Sequence, residues 1–495
     1  MDETKPLRNS GSGTTSNTRL FLAVFSAVLG NFNFGFSMVY PSPVIPQLQV
    51  IDNPSLRMNT HQVAWFGSIF TLGAVAGGLG TMLLNDRLGR KLSIMLSAVP
   101  STAGYLLIGG AQVVWMLHLG RFLTGIAGGM TAASIPVYVS EISHPAVRGI
   151  LGSCPQITAV CGSLALYALG LVLPWRWLAV AGEVPSLIML VLLCFMPKSP
   201  RYLIAQGRDA DAHQALGWLR GPSSDITAEF NKIQRSIASQ RKIRWAELAT
   251  PFYYKPIQIA VVMRFLQQMT GITPILVYLE PIFHLTRVSL EPKYDAALVG
   301  SVRLLSIVIA ASLMDKAGRK ALLFSSGFLM FLSTLSMSIY SHTTPCPALN
   351  VTTLPLQTTP FDPSSLIPLI STMIIIFGDQ PRMVWVKHGA TDACYAMGWG
   401  PITWLLMSEV LPLGARGVAS GLCVGVSWLT AFVLTQVFMH VVEAWGLFVP
   451  FLFFSVVCVV NIMFTAVCVP ETRGRSLEEI ENYFRTGRAF TIRDI

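Results

Sequence analysis

The chain has 495 residues, 52% of them hydrophobic and only 12% charged, with a formal net charge of +10. Soluble globular proteins carry about 25% charged residues, so this composition excludes an ordinary soluble surface and points to a bilayer as the solvent. The basic residues lie between apolar runs rather than in one patch, which excludes nucleic-acid binding and fits loops anchored to an anionic leaflet.

Residues 1–19 are polar and rich in Ser, Thr and Gly, and read as a disordered cytoplasmic tail with no signal peptide. Apolar runs long enough to cross a hydrocarbon core, about 20 residues each, then fall at 20–46, 62–84, 92–111, 114–139, 151–173 and 177–196. A polar segment, 197–256, holds ten Lys/Arg and five Asp/Glu and reads as a cytoplasmic helical linker domain. A second set of runs follows at 257–284, 296–314, 321–341, 366–411 (interrupted), 416–442 and 446–469. The expected architecture is an all-α membrane protein of twelve transmembrane helices: six-helix bundles at 20–196 and 257–470, and a cytoplasmic tail at 471–495.

Orientation follows from the basic loops. With the N-terminus inside, the short inner loops hold Arg87, Arg90, Lys91, Arg148, Lys316, Arg319, Lys320 and Arg416, whereas the outer loops hold Arg57, Arg176, Arg287 and Lys293. Asn350-Val351-Thr352 then lies outside as a glycosylation sequon. Of the eight cysteines only Cys346 falls in an outer loop, so no structural disulfide is expected, nor does any Cys/His spacing suggest a metal.

The two halves repeat each other. Asp86-Arg-Leu-Gly-Arg-Lys91 returns as Asp315-Lys-Ala-Gly-Arg-Lys320; Glu141 precedes Arg148 by seven residues, as Glu409 precedes Arg416. Pro197-Lys-Ser-Pro-Arg201 closes the first half and Pro470-Glu-Thr-Arg-Gly-Arg475 the second. Parallel halves of this kind place a substrate site at the midplane between them. Asp86, Arg90, Arg121, Glu141, Arg148, Asp315, Arg319, Glu409 and Arg416 read either as ordinary loop charges or as a cytoplasmic gate of ion pairs that breaks when the halves rock; the repeated pairing of opposite signs favours the gate.

Gln267 and Gln268 lie in the seventh span beside Thr270-Gly-Ile-Thr273-Pro274, where Pro marks a broken helix of the kind that lines a cavity. Amide side chains both donate and accept, as the hydroxyls of a sugar require. Gln156 lies in the fifth span, and Trp404 follows a Gly/Pro kink and offers a flat face to a sugar ring. The plainer reading makes these polar residues interhelical glue and Trp404 an interface anchor.

Taken together, the two Asp-x-x-Gly-Arg-Lys loops, Gly120-Arg121-Phe-Leu-Thr-Gly125, Pro136-Val-Tyr-Val-Ser-Glu141, Gln267-Gln268-Met-Thr-Gly271, Gly400-Pro-Ile-Thr-Trp404 and the two closing motifs resemble the sugar porter family of the major facilitator superfamily. The late outer loop bearing the sequon resembles its class III facilitative hexose transporters. The resemblance implies the major facilitator fold, a hexose as substrate, the bilayer as the other partner, and neither a cofactor nor an obligate protein partner. It implies sugar binding at Gln156, Gln267, Gln268, Thr273 and Trp404, with Arg264, Arg303 and Trp428 as further candidates to line the cavity. The chain departs from the well-known glucose carriers at Thr273, Arg303, Arg264 and Ser427, which stand where those carriers have Asn, Asn, Gln and Asn. Arginines within spans either snorkel or change the polarity of the cavity, so glucose itself is open as the substrate.

Three functions stay in view at this point: uniport, proton-coupled symport, and a sugar sensor or inactive isoform. Proton-coupled relatives carry an Asp after Phe-Gly-Tyr in the first span. Here the stretch is Phe34-Gly-Phe-Ser37, and Ser37 does not titrate, which favours uniport. Glu183 and Glu280 are the deeper acids, both expected near outer ends. No nucleophile–base pair stands out, so an enzyme is not expected. The membrane, plasma or endolysosomal, is open. Finally, Asp379–Cys394 interrupts the tenth span with 16 residues that include Asp379, Arg382, Lys387 and Asp392. These charges would cost ~2.5–3.5 kcal/mol each at membrane depth, so the segment reads as an anomalous insertion from splicing or the gene model, with a functional re-entrant loop as the alternative.

Overall fold

The computed structural model describes residues 18–144, 147–221, 226–238, 250–286, 291–317, 319–344, 399–411, 416–471 and 484. Among these every regular element is a helix. The tenth-span expectation at 366–398, the segment 379–394, Asn350 and most of both tails lie outside the described residues.

The first half begins with α1 (Thr18–Val39) and α2 (Pro41–Gln49), which together make one crossing. α3 (Thr60–Arg87) starts at a capping box: Asn59 Oδ1 accepts from Gln62 N at 2.8 Å, and Gln62 Oε1 accepts from Asn59 N at 3.0 Å. It is followed by α4 (Arg90–Leu96), α5 (Ala98–Gly109), α6 (Val114–Ile142), α7 (Arg148–Gly170) and α8 (Trp175–Cys194). Small residues let these helices touch backbone to backbone. A Cβ on Gly35 would stand 1.8 Å from Ala159 O, and one on Gly125 2.2 Å from Phe70 O, so α1 against α7 and α3 against α6 tolerate no side chain there.

Three short helices follow, α9 (Pro200–Ala205), α10 (Asp209–Arg220) and α11 (Ile226–Ala238). They share a small core of Leu203, Ala212, Leu216 and Phe230. Arg220 donates to both carboxylate oxygens of Glu229 at 2.9 and 2.7 Å and to Ile142 O at 3.0 Å, tying this cluster to the end of α6.

In the second half the seventh span breaks as the proline signal led one to expect. α12 (Pro251–Met269) stops at Thr270, Gly271 takes φ +81°, and the chain resumes as α13 (Ile272–Val277) and α14 (Leu279–Thr286). α15 (Pro292–Ala317), α16 (Arg319–Thr343), α17 (Pro401–Val410), α18 (Arg416–Trp445) and α19 (Phe448–Cys468) complete it. Ten helices are long and apolar enough to cross a membrane among the described residues. α15 has the length for the expected eighth crossing.

The halves meet along α3 against α18 and α7 against α15. At the end that carries α2 and α13 the junction is closed. Tyr278 donates to Thr435 O at 3.2 Å, and its hydroxyl would stand 2.3 Å from a Cβ on Gly67, so the ring is wedged between α3 and α18. Tyr278, Phe438 and Phe454 stack in series. Tyr167 donates to Leu276 O at 3.1 Å, and Ser42 Oγ accepts from Glu280 N at 3.1 Å.

Candidate functional site

The helix break at Thr270–Gly271 concentrates polar side chains where α12, α17 and α18 meet. Gln267 and Gln268 are both buried, at 1% and 6% exposure. Adjacent residues on a helix point about 100° apart, so the pair addresses two neighbours. Gln267 Nε2 donates to Trp399 O at 2.6 Å, just before α17, and its Oε1 accepts from Arg264 Nη1. Gln268 Nε2 donates to Ser427 Oγ on α18 at 3.0 Å, and its Oε1 accepts from Thr273 Oγ1 at 2.8 Å. The Arg264 guanidinium lies 4.0 Å from the centroid of Trp404. Five of the expected residues, Arg264, Gln267, Gln268, Thr273 and Trp404, are thus brought into one wall, together with Ser427. Every Gln268 contact is a neutral hydroxyl, the group a polyol can replace one for one.

The other candidates have no recorded contact with that wall among the described residues. Gln156 is half-buried on α7 and makes no side-chain hydrogen bond among the described residues. Arg303 is half-buried on α15. Trp428 adjoins Ser427 in sequence, but its ring turns to the first half, edge-on to Phe34 at 5.6 Å and packed on Ala74.

At the end carrying residues 87–91, Arg90 pairs with Glu141 at 3.0 Å within the first half. Asp86 is exposed. In the second half Glu471 accepts from Arg319 N at 3.2 Å and Lys320 N at 3.0 Å. The side chains of Arg148, Asp315, Glu409 and Arg416 lie outside the described residues. Sequence reasoning passed over the lysines of the repeated loops. Lys91 Nζ donates to Met196 O at 2.7 Å, just past the end of α8, and Lys320 Nζ to Ala466 O at 2.9 Å near the end of α19, so each caps the carbonyls that close its own half. The signal was available, since each Lys ends its Asp-x-x-Gly-Arg-Lys motif.

Two expectations need correction. Arg121 does not belong with the charges at that end. It stands 20 residues before Glu141 on α6, about 30 Å along the helix. It is 1% exposed, enclosed by Tyr40, Phe66 and Phe70, and donates to Ser37 O and Phe66 O; among the described residues no carboxylate pairs with it. Nor is Glu183 near an outer end. It is the ninth of the 20 residues of α8, accepting from Ser101 Oγ at 2.7 Å and Thr102 Oγ1 at 2.6 Å. Asn33 links Ser101 to Tyr105, whose hydroxyl meets Ser37, so a hydrogen-bonded chain runs from Glu183 to the residue beside Arg121. The described residues contain no cluster of His, Cys, Asp or Glu able to hold a metal.

Residues 23–377 and 388–484 match the family described as Sugar (and other) transporter. Solute carrier family 2, facilitated glucose transporter member 6 of Homo sapiens is 57% identical, the match covering 97% of this chain and 94% of that protein. Facilitated glucose transporter member 8 of Mus musculus is 39% identical over 97% of this chain and 98% of its own length. The crystal structure of the proton:xylose symporter XylE bound to 6-bromo-6-deoxy-D-glucose shares the fold, with a TM-score of 0.75 at 22% identity over 94% of this chain and 99% of that one.

Proposed function

The chain belongs to the sugar (and other) transporter family, and from that premise we propose that it moves a hexose across a membrane passively, down its gradient, by alternating access. The observation that carries the reading is the neutral amide–hydroxyl wall of Gln267, Gln268, Thr273 and Ser427 beside Trp404, formed at a helix break in the second half. Gln156, half-buried and without a side-chain hydrogen bond among the described residues, supplies a further amide from the first half. The relatives named as facilitated glucose transporters support the same substrate class. In this reading the closed end at Tyr278 faces outward, the termini and the 87–91 loop are cytoplasmic, and Asn350 is glycosylated outside. The ion pair Arg90–Glu141 and the capped ends at Lys91 and Lys320 then form the rigid cytoplasmic rims on which the halves rock.

Passive transport is supported at Ser37. The side chain next to Arg121 is a hydroxyl, so a proton has no carboxylate to titrate there. A proton-coupled reading has one observation in its favour, the hydrogen-bonded chain from Glu183 to Ser37. Purified protein in liposomes separates them. Uptake should follow the sugar gradient in either direction and ignore an imposed pH step; alkalinisation of the outer medium on adding sugar would establish symport instead. A panel of hexoses in the same vesicles ranks the substrates.

A further inference from the structure

Arg264 lies one turn before Gln267 on α12 and is 1% exposed. Its guanidinium covers the ring of Trp404 at 4.0 Å and donates to the Oε1 of Gln267. A hexose offers the same two features, a flat C–H face and hydroxyl donors, so the arginine satisfies the groups that the carrier reading assigns to the sugar. A guanidinium is suited to this because it stacks and donates in one plane. An aromatic face holds one flat partner at contact distance, and the two occupants exclude each other.

Resting on that carrier reading, we propose that Arg264 is a resident competitor of the hexose: it occupies the Trp404 face and the Gln267 acceptor in the empty carrier, and sugar binds there only after the guanidinium swings away. The neighbours are built to stay while it moves. Gln267 is held at its other end by Trp399 O, and Trp404 is backed by Ala260, Met407 and Cys423. Arg264 itself is long and rotatable. Its departure sets aside the cation–π contact with Trp404 and the charge-assisted hydrogen bond to Gln267, so the site binds hexose more weakly than its amides alone would allow.

The test is hexose uptake by the full chain in liposomes. Arg264→Gln should lower the half-saturation concentration about thirtyfold, the scale of one desolvated cation–π contact. Methylguanidinium added to Arg264→Ala should raise it again, competitively with sugar. If the wild-type chain transports and Arg264→Gln has an unchanged or higher half-saturation, the competitor is overturned and the carrier reading stands. If inserted, monodisperse wild-type and variant chains both move no hexose, the carrier reading falls and takes the competitor with it. Should Arg264→Gln fail to fold, Arg264→Lys keeps the charge without the plane. It should lower half-saturation by a smaller factor, and no change overturns the proposal.

Discussion

Among the described residues each half of the bundle buries one arginine to 1% exposure, and the two are held in different ways. Arg121, in the first half, is walled in by Tyr40, Phe66 and Phe70 and donates to backbone carbonyls of α1 and α3. Backbone carbonyls within packed helices do not rotate away, so these contacts join helices. Arg264, in the second half, stacks on one side chain and donates to another. A side chain can give way by rotating about its own bonds, which packed helical backbone cannot do. The same residue type is therefore a fixture in one half and a movable group in the other. The contrast agrees with where the helix breaks: the second half interrupts α12 at Gly271, whereas the first half keeps α6 continuous through Arg121.

The largest test concerns a place where the repeat fails. Asp86 and Glu141 are 55 residues apart, and their counterparts Asp315 and Glu409 are 94 apart. The family match breaks between 377 and 388, inside the same stretch. Both observations support reading 379–394 as an insertion. Its deletion should raise uptake per mole of inserted protein several-fold; a shortened chain that inserts and transports less would make the segment native.

Next is Arg121→Ala. It empties a space enclosed by three aromatic rings and removes two ties between helices, and truncation of such buried side chains costs about 2–5 kcal/mol. Melting of the purified carrier should fall well below that of Arg264→Gln, which should remain within a few degrees of wild type. Equal melting temperatures would erase the distinction between the two arginines.

The smallest effect sharpens the symmetry. Lys91→Met and Lys320→Met each remove a cation at the C-terminal end of the closing helix of one half, worth about 0.3–1 kcal/mol. The two melting shifts should agree. A shift confined to one half would show that the matched geometry at Met196 and Ala466 has unequal weight.

The helical class, the crossings, the polar linker and the broken seventh span were legible because length, hydropathy and proline act within one segment. α10 spans Asp209–Arg220, the stretch that its helix-like sequence had marked. Arg121 was misplaced although its own span held the signal. That run begins at 114 on the outer side, so a residue seven positions later lies near the outer end, and grouping it by charge overrode its depth. Glu183 was misplaced by taking the acid for an end marker, when Ser101 and Thr102 supply it with donors at mid-span. Neither hydroxyl could be matched to Glu183 from sequence, since they lie more than 80 residues away.

What the sequence by itself determined is the solvent, the number and order of crossings expected, the two-fold repeat and the residue types available for a sugar site. The tertiary structure decided which of those residues meet. Gln267 reaches Trp399 across 132 positions and Gln268 reaches Ser427 across 159, while Trp428, one residue further on, turns its ring to Phe34 in the other half. Hydropathy is additive along a segment and survives without neighbours. A hydrogen bond requires donor and acceptor within about 3 Å and aligned, and that is settled only when distant helices pack.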